Sequence, residues 1–114
     1  MMRFACAGLL TLTATACSRQ TAPASRTPDC LSATIKAFQT GSSACADRFV
    51  SEHTFQGQTV YVLNHGTCGA DLTDEVLDAN CKHLGSLGGI TGNIKINGED
   101  FRTARQVRIV WKAP

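Results

Sequence analysis

The sequence predicts an α+β domain: a small antiparallel sheet, made of a hairpin plus a C-terminal strand, covered by one main helix and braced by disulfides. Three observations point there. Leu31, Ile35 and Phe38 recur at intervals of four and three, the spacing of one helix face. Two segments rich in β-branched and aromatic residues flank Gln56-Gly57, the pattern of a tight hairpin. Four cysteines, Cys30, Cys45, Cys68 and Cys81, fall within residues 30–114. A domain of that size buries only about two-thirds of its unfolded surface, so cross-links are expected to supplement its core.

In chain order, the first element stands outside the fold. Arg3 precedes an apolar run from Phe4 to Ala16 that ends in Ala14-Thr15-Ala16, directly before Cys17. Residues 1–16 therefore read as a secretory signal peptide, too short for the ~20 residues that span a bilayer. Small residues before a cysteine also resemble the bacterial lipobox, with Ala14 standing where Leu is usual. Cysteine parity favours lipidation. Of the six cysteines, Cys6 leaves with the peptide, and a lipid on Cys17 leaves four to pair in an oxidising compartment. Acyl chains, at ~0.8 kcal/mol per buried CH₂, would make that attachment stable. Ser18 after Cys17 resembles lipoproteins sorted to the outer membrane. The expected localisation is thus exported and lipid-anchored to the cell envelope, the alternative being a soluble periplasmic or secreted protein. Residues 17–29, rich in Ser, Thr, Ala and Pro, read as a flexible tether.

The single domain follows at 30–114. Cys30 to Gln39 reads as a helix opened by Asp29 as N-cap and closed by Gly41. Arg48 to Phe55 and Gln58 to Asn64 form the hairpin. A two-residue turn pairs Phe55 with Gln58, His53 with Val60 and Ser51 with Val62 on one face, and Glu52 with Tyr61 and Val50 with Leu63 on the other. Asp71 to Asn80 has acids at its start, an Asp-x-x-Asp spacing like a capping box, and Leu72, Val76 and Leu77 at helical spacing, which predicts a short helix. Gly85, Gly88, Gly89 and Gly92 shape loops and a bulged strand. Ile94 and Ile96 alternate before an Asn97-Gly98 turn. Gln106 to Lys112 reads as a half-buried strand with Val107, Ile109 and Trp111 on its apolar face. Four cysteines allow three pairings. Cys30–Cys45 and Cys68–Cys81 are favoured because each closes a local loop around one helical segment, and a bridge typically contributes ~2–4 kcal/mol.

Charge excludes little. Eleven basic and nine acidic residues give +2, and loss of Arg3 leaves +1. Arg102, Arg105, Arg108 and Lys112 gather near the C-terminus without interleaved aromatics or a groove-reading helix, so nucleic acid is not an expected partner and a solvated strand face is. His65-x-x-Cys68 and Cys81-x-His83 offer a zinc-type donor set, with a spacing unlike a zinc finger and an export signal that favours oxidation. His53 stands alone on its strand and reads as a packed or solvated side chain. Asp71, Asp74, Glu75 and Asp78, and the pair Glu99-Asp100, lack the alternating ligands of a calcium loop. No nucleophile elbow or phosphate loop is present. No catalytic residue, metal ligand or cofactor is assigned.

The run QGQTVYVLNHGTCGADLTDEVLDANCKHLGSLGGITGN, with CLSATIKAF before it and NGEDF after it, resembles a family of small exported bacterial proteins, many with lipoprotein signals, that carry a domain of unknown function. The resemblance spans Cys30 to the C-terminal strand. Some relatives carry a Cys doublet where this chain has Cys68-Gly69, so no pairing transfers. It implies export and a single domain and brings no site. The expected function is a non-catalytic binding or interaction module of the envelope, held to the membrane by its lipid, with an unknown envelope protein or small ligand as partner. An inhibitor of an extracellular hydrolase, a small hydrolase or zinc-dependent enzyme, and a structural envelope component are the alternatives. The hairpin, the GGITGN loop and the basic C-terminal strand are the surfaces of first interest.

Overall fold

The computed structural model describes residues 27–41 and 45–114. The expected signal peptide, Cys17 and the tether through residue 26 lie outside the described residues. Helix α1 runs Asp29–Gln39 and buries Leu31 and Ile35. Pro28 rather than Asp29 holds the cap position, its carbonyl accepting from Leu31 and Ser32 N–H. Asp29 instead lies in the first turn, where its charge complements the helix dipole. No helix among the described residues is long and apolar enough to cross a membrane.

Strands β1 (Phe49–Phe55) and β2 (Gln58–Asn64) pair in the register the turn dictates, Phe55 opposite Gln58 through Phe49 opposite Asn64. Gln56 and Gly57 both take positive φ, 51° and 71°, as a type I′ turn requires. Beyond them come β3 (Thr73–Asp78), β4 (His83–Gly88), a small hairpin of β5 (Lys95–Ile96) and β6 (Glu99–Asp100), a 3-10 turn at Phe101–Thr103, and β7 (Arg105–Lys112). The main sheet is antiparallel with order β4-β3-β2-β1-β7, so the chain passes from one edge to the other through the β5–β6 hairpin.

A strand, not the expected helix, occupies most of Asp71–Asn80. Successive Val76 and Leu77 point to opposite faces, as side chains on a strand must, and each is buried in a different core. Between β2 and β4, β3 satisfies its backbone on both sides, which outweighs the local helical pattern. The acids that suggest a capping box make turns instead. Asp71 adopts φ 62°, and Asp78 accepts from the N–H groups of Asn80 and Lys82.

Two cores result. Toward α1, Val50, Tyr61, Leu63 and Leu77 pack with Leu31 and Ile35, flanked by Phe38 and Trp111. On the opposite face, Phe55, Val60, Val62 and Val76 pack beneath Ile96 and Phe101. The main helix thus covers only one side, and the β5–β6 hairpin with its 3-10 turn covers part of the other. Strand β7 departs from simple alternation. Its pairing to β1 skips one residue between Arg108 and Gln106 and another between Trp111 and Ile109. These bulges leave Val107 and Ile109 exposed, 47% and 44%, while Val110 and Trp111 pack against the helix-side core.

The disulfides join Cys30 to Cys81 and Cys45 to Cys68, which overturns the local pairing. Each intervening segment leads away from its first cysteine, and each cysteine meets a partner on another element instead. At roughly 3.3 Å per residue β3 carries the chain away from Cys68 before Cys81 is reached. At about 1.5 Å per residue α1 carries it away from Cys30 before Cys45. Each cysteine therefore finds its partner across the fold, and the first bridge fastens the start of α1 to the β3–β4 turn.

Candidate binding cleft

The described residues cover the face of the sheet opposite α1 only in part, and an open cleft of about 210 Å³ lies beside the cover. Strand pairing builds its floor. Phe49, Ser51 and His53 alternate along β1 on this face, while Asn64 of β2 stands opposite Phe49. Beyond Asn64 the register continues to Asp74 of β3 and Leu87 of β4. Phe101 closes one side, its ring 4.9 Å from that of Phe55 and 5.6 Å from that of His53. Gln106 of β7, opposite His53, completes the rim.

Two polar pairs occupy this floor. Ser51 Oγ lies 2.9 Å from His53 Nε2, and Asn64 Nδ2 donates to Asp74 Oδ2 at 3.0 Å. Asn64 is held in turn by Gly66 N–H, which donates to its Oδ1 at 2.9 Å. Burial pushes His53 below the ordinary histidine value and keeps the ring neutral. Burial also raises Asp74, opposed by hydrogen bonds from the His65 backbone and Asn64 and by the nearby His65 charge. Ser51 is 1% exposed, and the buried His53 Nδ1 has no hydrogen-bond partner among the described residues. A nucleophile needs access and an acceptor that orients its base, and this pair offers neither.

A second hollow of about 240 Å³ shares Leu87 and Phe101 with the cleft and continues to Ile94, Gly92 and Arg102. The exposed large apolar side chains among the described residues are Ile90 in the GGITGN stretch, Ile94 directly after it, and Val107 and Ile109 on β7. Gly89 and Asn93 in that stretch serve the fold. A Cβ on Gly89 would meet Thr73 Cγ2 at 2.8 Å. Asn93 Nδ2 donates to the carbonyls of Ser86 and Lys95 at 2.7 and 3.0 Å, pinning the loop to β4. A larger hollow, about 440 Å³, lies by Gln39, Arg48 and Trp111, but the Arg48 guanidinium is spent on the carbonyls of Cys45 and Gln39 and on the Trp111 ring.

The residues singled out by sequence are distributed otherwise. Both cysteines of the zinc-type set are consumed in separate disulfides. His65 donates from Nδ1 to the Thr73 carbonyl at 2.6 Å and His83 faces Ser86 at 3.4 Å. No group of three or more His, Cys, Asp or Glu is placed to hold a metal among the described residues. Asp74 and Asp78 share one sheet face and Glu75 the other, which disperses the acidic segment. Of the basic group, Arg102 is bound by Asp100 at 2.6 Å, Arg108 stands 3.5 Å from the buried Glu52, and Arg105 and Lys112 are exposed. Sequence reasoning missed Ser51, Asn64, Asp74 and Gln106 as a set. Strand alternation gave the first two a common face. Asp74 joins them only because β3 is a strand beside β2.

A family model for a domain of unknown function matches residues 36–113, a span that contains every residue of the cleft. No curated protein and no solved structure matches the chain.

Proposed function

Because the chain belongs to the family described as a domain of unknown function, DUF6970, through residues 36–113, its own surface must supply the functional reading, and we propose a non-catalytic binding module whose recognition site is the cleft opposite α1. The observation that carries this reading is the cleft itself: an open recess with an aromatic wall and two ordered polar pairs on its floor, bordered by exposed apolar side chains. Few convergent polar groups in an otherwise apolar recess are what a recognition site requires. The inaccessible Ser51 hydroxyl favours binding over acyl transfer. The module acts from the cell envelope, exported by the segment at 1–16 and tethered through a lipid on Cys17. Export is consistent with two disulfides in a small domain.

The test is a fragment screen followed by backbone amide NMR on the disulfide-bonded protein. Fragments that shift Ser51, His53, Asn64 and Asp74 are the expected result. Hits that map elsewhere, or a diverse library with none, would overturn the assignment. Ile94→Ser and Ile109→Ser change exposed side chains, so the fold is expected to survive while affinity for cleft ligands with apolar extensions falls about threefold to tenfold, in line with one lost apolar contact.

A further inference from the structure

We propose that the cleft takes an organic ammonium group on a small apolar or aromatic body, the ammonium at Asp74 and the body against Phe49 and Phe101. This inference rests on the binding reading above and names the ligand class of that site.

Among the described residues lining the cleft, Asp74 is the only one with a formal charge at neutral pH, His53 being held neutral by burial. Its carboxylate accepts from Asn64 and from the His65 backbone. A carboxylate can accept at about four lone-pair sites, so capacity remains for a ligand. Arg102, beside the neighbouring hollow, is already bound by Asp100. An anionic ligand would meet Asp74 as a like charge. A neutral apolar ligand would desolvate that carboxylate further with no counter-charge.

A cation answers both objections. Phe49 and Phe101 line the same recess and supply apolar contact for the body that carries the cation. Gln106 supplies a further oxygen acceptor for an ammonium, which has three donors. The volume limits the body. About 210 Å³ is smaller than the ~300–1,000 Å³ of sites for drug-sized molecules, so one ring or one side chain fits. Such an ammonium belongs either to a free small amine or to a lysine side chain of a partner.

The experiment compares phenethylamine, phenethyl alcohol and phenylacetate by amide NMR titration of the disulfide-bonded protein at neutral pH. The expected result is saturable shifts at Asp74, Asn64 and Ser51, with the amine binding at least tenfold tighter than the alcohol and the acid weakest. Asp74→Asn, which keeps the shape and the Asn64 neighbour, is expected to abolish the amine's advantage. Equal binding of amine and alcohol by the unaltered protein overturns the proposal, whether or not the variant folds, as does an amine preference that survives Asp74→Asn. If alcohol or acid binds in the cleft and the amine gains nothing, the ammonium assignment falls and the binding reading stands. If none of the three shifts cleft residues, the ammonium assignment also falls, and the fragment screen alone decides the broader reading. Nα-acetyl-lysine methylamide separates the sources: competition equal to phenethylamine identifies a partner's lysine, and its failure beside a binding amine identifies a free amine.

Discussion

At Gly66 the backbone has no room for a side chain. Its φ is +88°, and an added Cβ would collide with the Asp47 carboxylate and lie 2.5 Å from Cys45 Cβ. Asp47 itself accepts from the Thr67 hydroxyl and N–H, which hold its carboxyl below the usual range. Gly66→Ala is therefore expected to cost about 2–3 kcal/mol through left-handed strain plus the clash, read as a lower urea midpoint at unchanged m-value. His53 sets a pH dependence. Burial lowers its folded pKa below the ordinary 6.5, so in acid the unfolded chain binds more protons than the folded one. Its contribution is full above that ordinary value and is lost as pH falls through the folded value. Urea midpoints measured from pH 7.5 to 5 should fall less for His53→Gln than for the unaltered protein, and parallel curves would contradict this. Asp100, held at about 2 chiefly by the Arg102 side chain, is expected to return toward 3.8 in Arg102→Ala, as read by carboxyl NMR.

Between elements, the two disulfides do different work. Cys30–Cys81 spans 51 residues and fastens α1, whereas Cys45–Cys68 spans 23 and ties the entry of β1 to the loop after β2. Chain entropy assigns them ~4 and ~3.5 kcal/mol respectively. Replacing Cys30 and Cys81 by Ala should also accelerate amide exchange across α1 while β1 and β2 stay protected. Replacing Cys45 and Cys68 should leave α1 protected, and the reverse pattern would show that the bridges are misassigned. The Asn93 side chain, bonding Ser86 and Lys95, reinforces the backbone bonds that hold the loop after β4. Asn93→Ala should cost ~1 kcal/mol and speed exchange at Gly88 and Lys95. The bulges in β7 and the exposed Arg105 and Lys112 on the same edge strand discourage edge-to-edge association, against the exposed Val107 and Ile109 beside them.

For the whole molecule, one sheet with a core on each face leaves its cleft where the second cover stops. Intact mass of the protein from its native membrane fraction should show a lipid on Cys17 and four further cysteines that alkylate only after reduction. An unmodified Cys17 would remove the proposed anchor. Helix α1, the Gln56-Gly57 hairpin with its register, the Asn97-Gly98 turn and the disulfide-braced α+β class were all legible in the sequence, because each follows from spacing or turn chemistry within a few residues. Strand β3 was not: Leu72, Val76 and Leu77 satisfy a helical period locally, and only pairing with β2 and β4 makes Val76 and Leu77 serve opposite cores. That decision carried others with it. An extended β3 parts Cys68 from Cys81, and the same strand brings Asp74 beside Asn64 to form the cleft floor. Local periodicity and turn residues thus determined the elements that close on themselves, whereas the cysteine partners, the second cover and the cleft arose from contacts between distant segments, which a chain acquires only when its strands find their neighbours.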